Sequence, residues 1–291
     1  MPTTPKSPGV YIEEVPSGVR TIVGVATSIT AFVGRTRRGS VDEPIRCDSW
    51  ADFERACGGL WESSELTYSV AQYFGNGGAT AMVSRVVDGA AAASTVSLGG
   101  PGGALDVAAA SPGAWGDRLR ITVSHGGPAG SIDHTADTNT FHLTVDEIDP
   151  EQLAVTGDYD RSVVARETYS NVSVVAGSDR DVASIVEAMS ALVRVTAVPT
   201  QRPDAVTAEP LNGGLDGGAT SATGDYTPAI DRLDLADLVN LVVVPPPSRQ
   251  QDTPLAIWTE AERWATEHRA VLLVDPPSTW TTAADAAALT G

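Results

Sequence analysis

The chain is poor in the residues that would assign it a chemistry quickly. It has two cysteines in 291 residues, Cys47 and Cys57, ten positions apart. No CxxC spacing or Cys/His cluster accompanies them, so neither a disulfide framework nor a zinc site is indicated. Lys6 is the only lysine among 19 basic residues. A phosphate-binding P-loop ends in Gly-Lys-Ser/Thr, so Walker-type nucleotide chemistry is excluded. The four histidines, His125, His134, His142 and His268, show no HExxH spacing. A GxSxG nucleophile elbow is absent. No apolar run reaches the roughly eighteen residues of a membrane span. The opening MPTTPKSPGV lacks the basic and apolar regions of a secretory signal.

Positive charge is scarce too. Asp and Glu number 37 against 19 Lys and Arg, a net charge of −18. Such a surface repels phosphate backbones and carries no polybasic membrane anchor, which disfavours nucleic-acid binding and lipid anchoring. What the chain does have is 42% hydrophobic residues, enough for one large packed domain or two ordinary ones.

Residues 1–20 do not read as a domain. Pro2, Pro5, Pro8 and Pro16 exclude helix, and Gly9 and Gly18 punctuate the stretch. Between them Val10-Tyr11-Ile12-Glu13-Glu14-Val15 is a run of strand formers in which neither alternating face is wholly apolar. This predicts an extended arm that needs a partner's edge, hinged at Pro8, Gly9, Pro16 and Gly18. Residues 21–88 read as the first part of an α/β domain: a strand over 29–33 ending at Gly34, a helix over 50–56 opened by a Ser49/Asp52 capping box and stopped at Gly58-Gly59, a second helix capped by Ser63 or Ser64, and a strand over 81–87. Leu66, Val70, Tyr73 and Phe74 form the inner stripe of that second helix, with Gly75 as its C-cap.

Residues 89–110, rich in Ala, Gly and Ser, read as a surface linker. Residues 111–210 read as a β-rich domain or insertion, with strands over 119–123, 140–148 and 162–175, a helix carrying Val182, Ile185, Val186 and Met189 on one stripe, and a strand over 192–198. From 211 to 291 the α/β domain continues. It has a glycine-rich loop over 211–224, a helix over 228–238 and a strand over 241–244. Next come a helix capped by Thr253-Pro254 with Trp258, Ala261, Ala265 and His268 inward, and a buried strand over 271–274 closed by Asp275-Pro276-Pro277. Apolar strands after crossover helices predict a parallel sheet. The end falls inside a βα rhythm, so the sequence reads as part of a longer polypeptide.

The chemistry in these elements is thin. His134 lies near Asp133 and Asp137, but loop solvation outweighs a metal site there. Asp275 at a strand end and His268 on a helix are the candidates for a hydrolase on an α/β scaffold. The run Gly213-Gly214-Leu215-Asp216-Gly217-Gly218 lacks the GxGxxG spacing of a dinucleotide site and reads as a turn-rich loop. Trp50, Trp61, Trp115, Trp258, Trp264 and Trp280 have no basic groove around them and read as core or interface anchors.

The opening Ser7-Pro8-Gly9-Val10-Tyr11-Ile12-Glu13-Glu14-Val15-Pro16-Ser17-Gly18 resembles the N-terminus of contractile tail sheath proteins. The likeness continues through Gly24-Val25-Ala26-Thr27-Ser28, Ile29-Thr30-Ala31-Phe32-Val33-Gly34, and Gln72-Tyr73-Phe74-Gly75-Asn76-Gly77-Gly78. Ser111-Pro112-Gly113-Ala114-Trp115-Gly116-Asp117 resembles the family's SPGxWGN element. Glu167-Thr168-Tyr169-Ser170-Asn171-Val172-Ser173 and the run from Arg269 to Pro277 resemble two further family elements. The resemblance implies a sheath-type α/β domain with a β-rich insertion and an extended N-terminal arm. It implies a structural subunit without catalytic, cofactor or metal residues. Such a subunit polymerises helically around an inner tube, contracts to drive that tube through a target envelope, and donates its arm (Val10 to Val15) to neighbouring copies. The implied partners are other copies of the chain, the tube protein, and baseplate and terminal cap proteins, with no nucleic acid and no membrane insertion. The implied setting is the bacterial cytoplasm, in a phage tail or tail-like particle. The family's usual C-terminal domain, which lies against the tube, is not in this stretch. A hydrolase, or an acidic soluble binding module, is the alternative.

Overall fold

The computed structural model describes residues 28–126 and 137–287. The expected arm with its hinges, and His134, lie outside the described residues. The described chain runs β1 (Thr30–Gly34), β2 (Ile45–Cys47), α1 (Trp50–Cys57), α2 (Glu65–Gly75), β3 (Ala81–Arg85), β4 (Thr95–Gly100) and β5 (Gly103–Ala109). A 3-10 turn (Ala114–Arg118) leads to β6 (Leu119–Ser124), β7 (Thr140–Ile148), α3 (Pro150–Thr156), α4 (Tyr159–Ser162), β8 (Val163–Ser173), α5 (Val182–Met189), β9 (Val193–Ala197) and β10 (Val206–Pro210). It closes with α6 (Thr223–Asp231), a 3-10 turn (Arg232–Leu235), β11 (Leu241–Val243), α7 (Leu255–His268), β12 (Val271–Leu273) and α8 (Ala283–Ala287).

The first and last parts share one sheet, in the order β12-β11-β1-β3-β2. Its first four strands are mutually parallel and β2 is antiparallel to β3. Side chains alternate between its two faces. Ala31, Val33, Met82, Val242 and Val244 point to a first face and pack under α6 and α7 with Ile230, Ala261 and Trp264. Phe32, Ala81 and Val83 point to a second face and pack under α1 and α2 with Phe53, Leu66 and Val70. A sheet buried on both sides demands near-continuous apolar strands, and the sequence of β1 and β3 supplies them.

The intervening chain builds a second body. A four-stranded sheet, β10-β6-β7-β8, and a three-stranded sheet, β4-β5-β9, enclose one core. Leu105 and Val107 come from the small sheet, Ile121, Phe141 and Leu143 from the large one, and Val182 and Val186 from α5. The whole is an α/β fold with a β-rich insertion.

Several sequence expectations need correction. Residues 89–110 are not a linker: β4 and β5 form a hairpin turned at Pro101-Gly102. The small residues masked a period-two pattern in which Leu105, Val107 and Ala109 face the core. Ser64 begins α2, but its hydroxyl donates to the Arg35 carbonyl (2.6 Å) instead of capping. Gly75 is the last helical residue and Asn76 the cap. Met189 is exposed at the end of the two-turn α5. The helix expected from Pro228 starts at Thr223 and ends as a 3-10 turn. Pro254, not Thr253, caps α7; the Thr253 hydroxyl donates to the Val244 carbonyl (3.2 Å). His268 is exposed, and Trp264 takes the inward place. β12 is exposed on one face rather than buried.

Candidate functional site

The two bodies meet at a narrow waist, which the chain crosses once near residue 88 and again near 217. Backbone bonds pair the two crossings: Ala92 and Leu215 exchange N–H···O contacts of 2.9 Å, as do Thr95 and Asn212 at 2.9 and 3.1 Å. Carboxylates fasten the rest. Asp88 accepts from the Gly218 N–H (2.7 Å), Asp216 from the Ala114 N–H (2.8 Å), and Asp117 from the Gly214 N–H (3.0 Å) and the Ser94 hydroxyl (2.7 Å). Gly217 has φ +68, and a Cβ there would collide with the Asp88 carboxylate. Gly113 has φ +136, with the site of a Cβ 2.8 Å from the Arg37 carbonyl oxygen. Only glycine fits these two positions. The run from Gly213 to Gly218 is thus a clasp between bodies.

Arg85 sits at the centre. Its strand ends where the bodies touch, and its side chain is buried. The guanidinium donates to four backbone carbonyls: Thr36 (3.2 Å), Gly39 (3.0 Å) and Arg37 (3.4 Å) in one loop, and Pro112 (2.7 Å) in the other body. Burial without a carboxylate partner pushes its pKa down to about 10. Arg35 is buried beside it, donating to Ser63 and Gly217 carbonyls (both 3.1 Å), and burial lowers its pKa as well. Trp115 is buried with its indole N–H on the Ser111 carbonyl (3.1 Å), and the Ser111 hydroxyl accepts from the Gly39 N–H (3.2 Å). Every described member of the Ser111 to Asp117 run that makes these bonds therefore serves the waist. Sequence reasoning missed Arg85; the available signal was one arginine inside an otherwise apolar strand.

The second resembling element shapes β8. Ser170 and Asn171 together oppose His142, a bulge that puts Asn171 at φ 57. Arg180 steadies it by donating to the Ser170 and Asn171 carbonyls. Glu167 receives the Tyr169 hydroxyl (2.8 Å), the Ser190 hydroxyl and the Ala191 N–H (2.9 Å), tying β8 to the end of α5.

Beside the waist a cleft of about 890 Å³ separates the bodies, with Arg38, Glu43 and Arg55 on one wall and Glu147, Arg166 and Glu187 on the other. Arg38 bridges it to Glu147 at 2.8 Å. Two more cleft charges pair locally, Arg166 with Asp146 (2.6 Å) and Arg194 with Glu187 (3.3 Å). The hydrogen bond to Asp146 raises the Arg166 pKa further. These pairs brace the walls.

The hydrolase candidates are not assembled into a site. His268 stacks on Trp264 (ring centroids 4.1 Å apart), with Nδ1 2.9 Å from the Trp264 carbonyl oxygen and Nε2 3.2 Å from Asp234. Both of its ring nitrogens are thus engaged within the α6–α7 region, and Asp275 lies exposed past β12. Cys47 and Cys57 are buried together, and their mutual hydrogen bond, then burial, raises the Cys57 thiol pKa. Among the described residues no group of three His, Cys, Asp or Glu is placed to hold a metal. None of the described helices is long and apolar enough to cross a membrane.

No protein-family model matches the chain, and no curated protein matches it. Solved structures do. A sheath tail protein from Listeria innocua is similar with a TM-score of 0.55 and 16% identity, over 85% of this chain and 46% of that one. A sheath tail protein from Desulfitobacterium hafniense matches with a TM-score of 0.49 and 16% identity, over 90% of this chain and 50% of that one. The chain thus spans half or less of the length of these proteins. The likeness to the Listeria protein establishes the fold: the α/β body with its β-rich insertion is an arrangement found in a sheath tail protein.

Proposed function

We propose that this chain is part of a contractile sheath subunit, which assembles helically with other copies around an inner tube and contracts to drive the tube through a target envelope. The observation that carries this reading is the fold shared with a sheath tail protein. Two features support it. The waist makes two bodies into one stiff unit, as a subunit that moves as a rigid piece requires. The segment ahead of β1 carries the strand-forming run Val10 to Val15 between Pro8-Gly9 and Pro16-Ser17-Gly18.

In this reading that run adds a strand to a sheet of a neighbouring copy. Each main-chain bond gained contributes about 1 kcal/mol net, and burying Val10 or Ile12 adds roughly 1.5–3 kcal/mol. Ordering each arm residue costs about 1–2 kcal/mol, so one arm contributes only a few kcal/mol. Many arms in one lattice hold firmly, because each link is intramolecular once the first forms. Head-to-tail links that do not close generate a helix of subunits. The hinges let subunits rotate while staying tied. The tube, baseplate and cap proteins are the further partners, the particle is a phage tail or tail-like assembly built in the bacterial cytoplasm, and the chain performs no catalysis.

Negative-stain electron microscopy of the protein expressed with its flanking genes tests this. Striated sleeves labelled by an antibody to this chain are expected, and they should vanish when residues 1–20 are deleted. Sleeves without the chain, or normal sleeves from the deletion, would overturn the reading.

A further inference from the structure

The two cysteines meet where the chain folds back on itself. Cys47 ends β2, and after Asp48 and Ser49 the chain returns over that strand as α1, which Cys57 ends. Both side chains are fully buried in the core of the second face, which Phe32, Phe53 and Leu66 share. Both are free thiols, and they hydrogen-bond each other. Two thiols in contact differ from a disulfide by their two hydrogens and the closing of the gap between the sulfurs.

The cover over this pair is thin on one side. Gly39 has no side chain, and a Cβ built on it would lie 3.9 Å from the Cys57 Sγ, with the Ile45 Cδ1 and the Ala56 carbonyl oxygen also within contact. Gly39, Ile45 and Ala56 all line the cleft between the bodies. A wall one residue thick, with a glycine in it, thus separates the Cys57 sulfur from the cleft. The surroundings are electropositive. Arg85 donates to the Gly39 carbonyl (3.0 Å), and the Arg38 N–H donates to the Cys57 carbonyl (3.2 Å). The hydrogen bond with Cys47, then burial, keeps the proton on the Cys57 sulfur, while the Arg85 and Arg38 charges favour the thiolate. The thiol is quiet at rest, and its reaction waits on local opening of the wall.

We propose that Cys57 is an oxidation site for peroxides that reach it through the cleft, and that Cys47 resolves it to a Cys47–Cys57 disulfide. The Cys57 thiolate attacks one peroxide oxygen. The O–O bond breaks, the sulfur becomes a sulfenic acid, and the departing hydroxide takes up the thiol's proton as water. The Cys47 sulfur then attacks the sulfenic sulfur. The S–O bond breaks, the S–S bond forms, and the hydroxyl leaves with the Cys47 proton as a second water. The thiol pair is oxidised by two electrons and one peroxide is reduced to two waters. The new bond fixes the last turn of α1 to β2. Cys57 holds Arg38 through its carbonyl, and Arg85 grips the carbonyls of Thr36, Arg37 and Gly39. Oxidation therefore stiffens the cleft wall from which Arg38 reaches Glu147. The pair and the cleft belong to this fold whether or not the chain belongs to a sheath.

The test exposes the reduced, folded full chain to hydrogen peroxide, then unfolds it in an alkylating reagent and reads its tryptic peptides by mass spectrometry. Cleavage after Arg46 and Arg55 puts the two cysteines on separate peptides. Reading peptides also sets aside Met189, which is exposed and takes up an oxygen of its own. The expected product, from the monomer, is a linked peptide pair about 2 Da lighter than the two reduced peptides and split by dithiothreitol. Cys47→Ala should instead leave a sulfenic acid at Cys57 that dimedone traps, and Cys57→Ala should leave Cys47 a free thiol. Ile45→Ala opens the wall and should speed the reaction at least about fivefold, whereas Val243→Ala, against the same core but off the cleft, should change it less than about twofold. Two fully alkylated cysteines after peroxide treatment, or a disulfide that forms only in denaturant, would overturn the proposal. So would a bond between copies, or dimedone trapped on Cys47 rather than Cys57. Equal acceleration by Ile45→Ala and Val243→Ala would do the same, since the sulfur is then reached by general loosening of the core and not from the cleft. The linked peptide and the two wall variants decide the matter even if the cysteine variants fail to fold.

Discussion

In the β-rich body, two sheets and α5 turn their apolar side chains to one core and finish it from their own residues, Leu105, Ile121, Phe141, Leu143 and Val186 among them. In the α/β body, helices cover the first face over β1, β3 and β11, yet the second face is covered only from β2 to β1. The first body is complete by itself. The second keeps an apolar strip at β11 and β12, at the foot of which the N-terminal chain enters. The difference separates a core closed by its own residues from one that leaves Val271 and Leu273 exposed.

The waist is where that contrast is most easily broken. Arg85→Met removes the donor for four carbonyls and leaves them buried, which should cost about 3–5 kcal/mol. Urea unfolding followed separately by Trp fluorescence and far-UV circular dichroism should change from one transition to two, as the bodies lose their link. Arg85→Lys should fail almost as badly, because an ammonium cannot span carbonyls in two bodies. A single unshifted transition for Arg85→Met would show that the carbonyls find other donors.

Matched truncations sharpen the comparison of the cores. Phe141→Ala, in the closed core, should cost about 3–5 kcal/mol. Leu273→Ala, on the strip, should cost less than about 1 kcal/mol, because there the side chain is partly in water already. Denaturant midpoints for both variants check this. Equal losses would mean that the strip is packed by the described residues alone.

What the sequence revealed follows the same line. Strands β1, β3 and β11 were legible because burial on both faces requires continuous apolar runs. The Ser49 cap was legible because its hydroxyl and Asp52 pair as the motif demands (3.1 and 2.9 Å). The hairpin of β4 and β5 was hidden by composition: Ala, Gly and Ser mimic a linker while alternate positions face a core. Helices α3 and α4 were lost between two strands because neither has a buried apolar stripe. Of the waist, Ser111 to Asp117 was legible only as a motif resemblance and Gly213 to Gly218 only as a turn-rich loop, since nothing in Ser-Pro-Gly or Gly-Gly-Leu-Asp states that an arginine some 27 positions from the first will join them. Long-range polar contacts leave no local period.

Alkaline titration should touch the two bodies unequally. Burial first, then hydrogen bonding to Asp146, pushes the Tyr159 pKa up to about 12; burial raises Tyr169 and Tyr226 to about 12 as well. In the unfolded chain all three titrate near 10. The folded state therefore holds these protons longer, and the stability they represent is full below pH 10 and is lost as pH rises through 12. Two of the three lie in the β-rich body, which should lose stability first above pH 10. Tyrosinate absorbance at 295 nm, followed with near-UV dichroism, reports it. Ionisation of all three near 10 without unfolding would contradict the burial that the structure assigns them.

The smallest effect is expected at Tyr226. Its ring is fully buried in the core of the first face, while its hydroxyl is buried without a hydrogen-bond partner among the described residues. An unpaired buried hydroxyl costs about 1–3 kcal/mol relative to water, whereas the ring's apolar burial is favourable. Tyr226→Phe keeps the ring and removes the stranded oxygen, so it should leave stability unchanged or raise it by up to about 1 kcal/mol. The void it leaves is one oxygen in size, too small to reverse the sign. A melting temperature lowered by several degrees would mean that the hydroxyl is paired after all, most simply through a water held between Tyr226 and the Arg35 side of the waist.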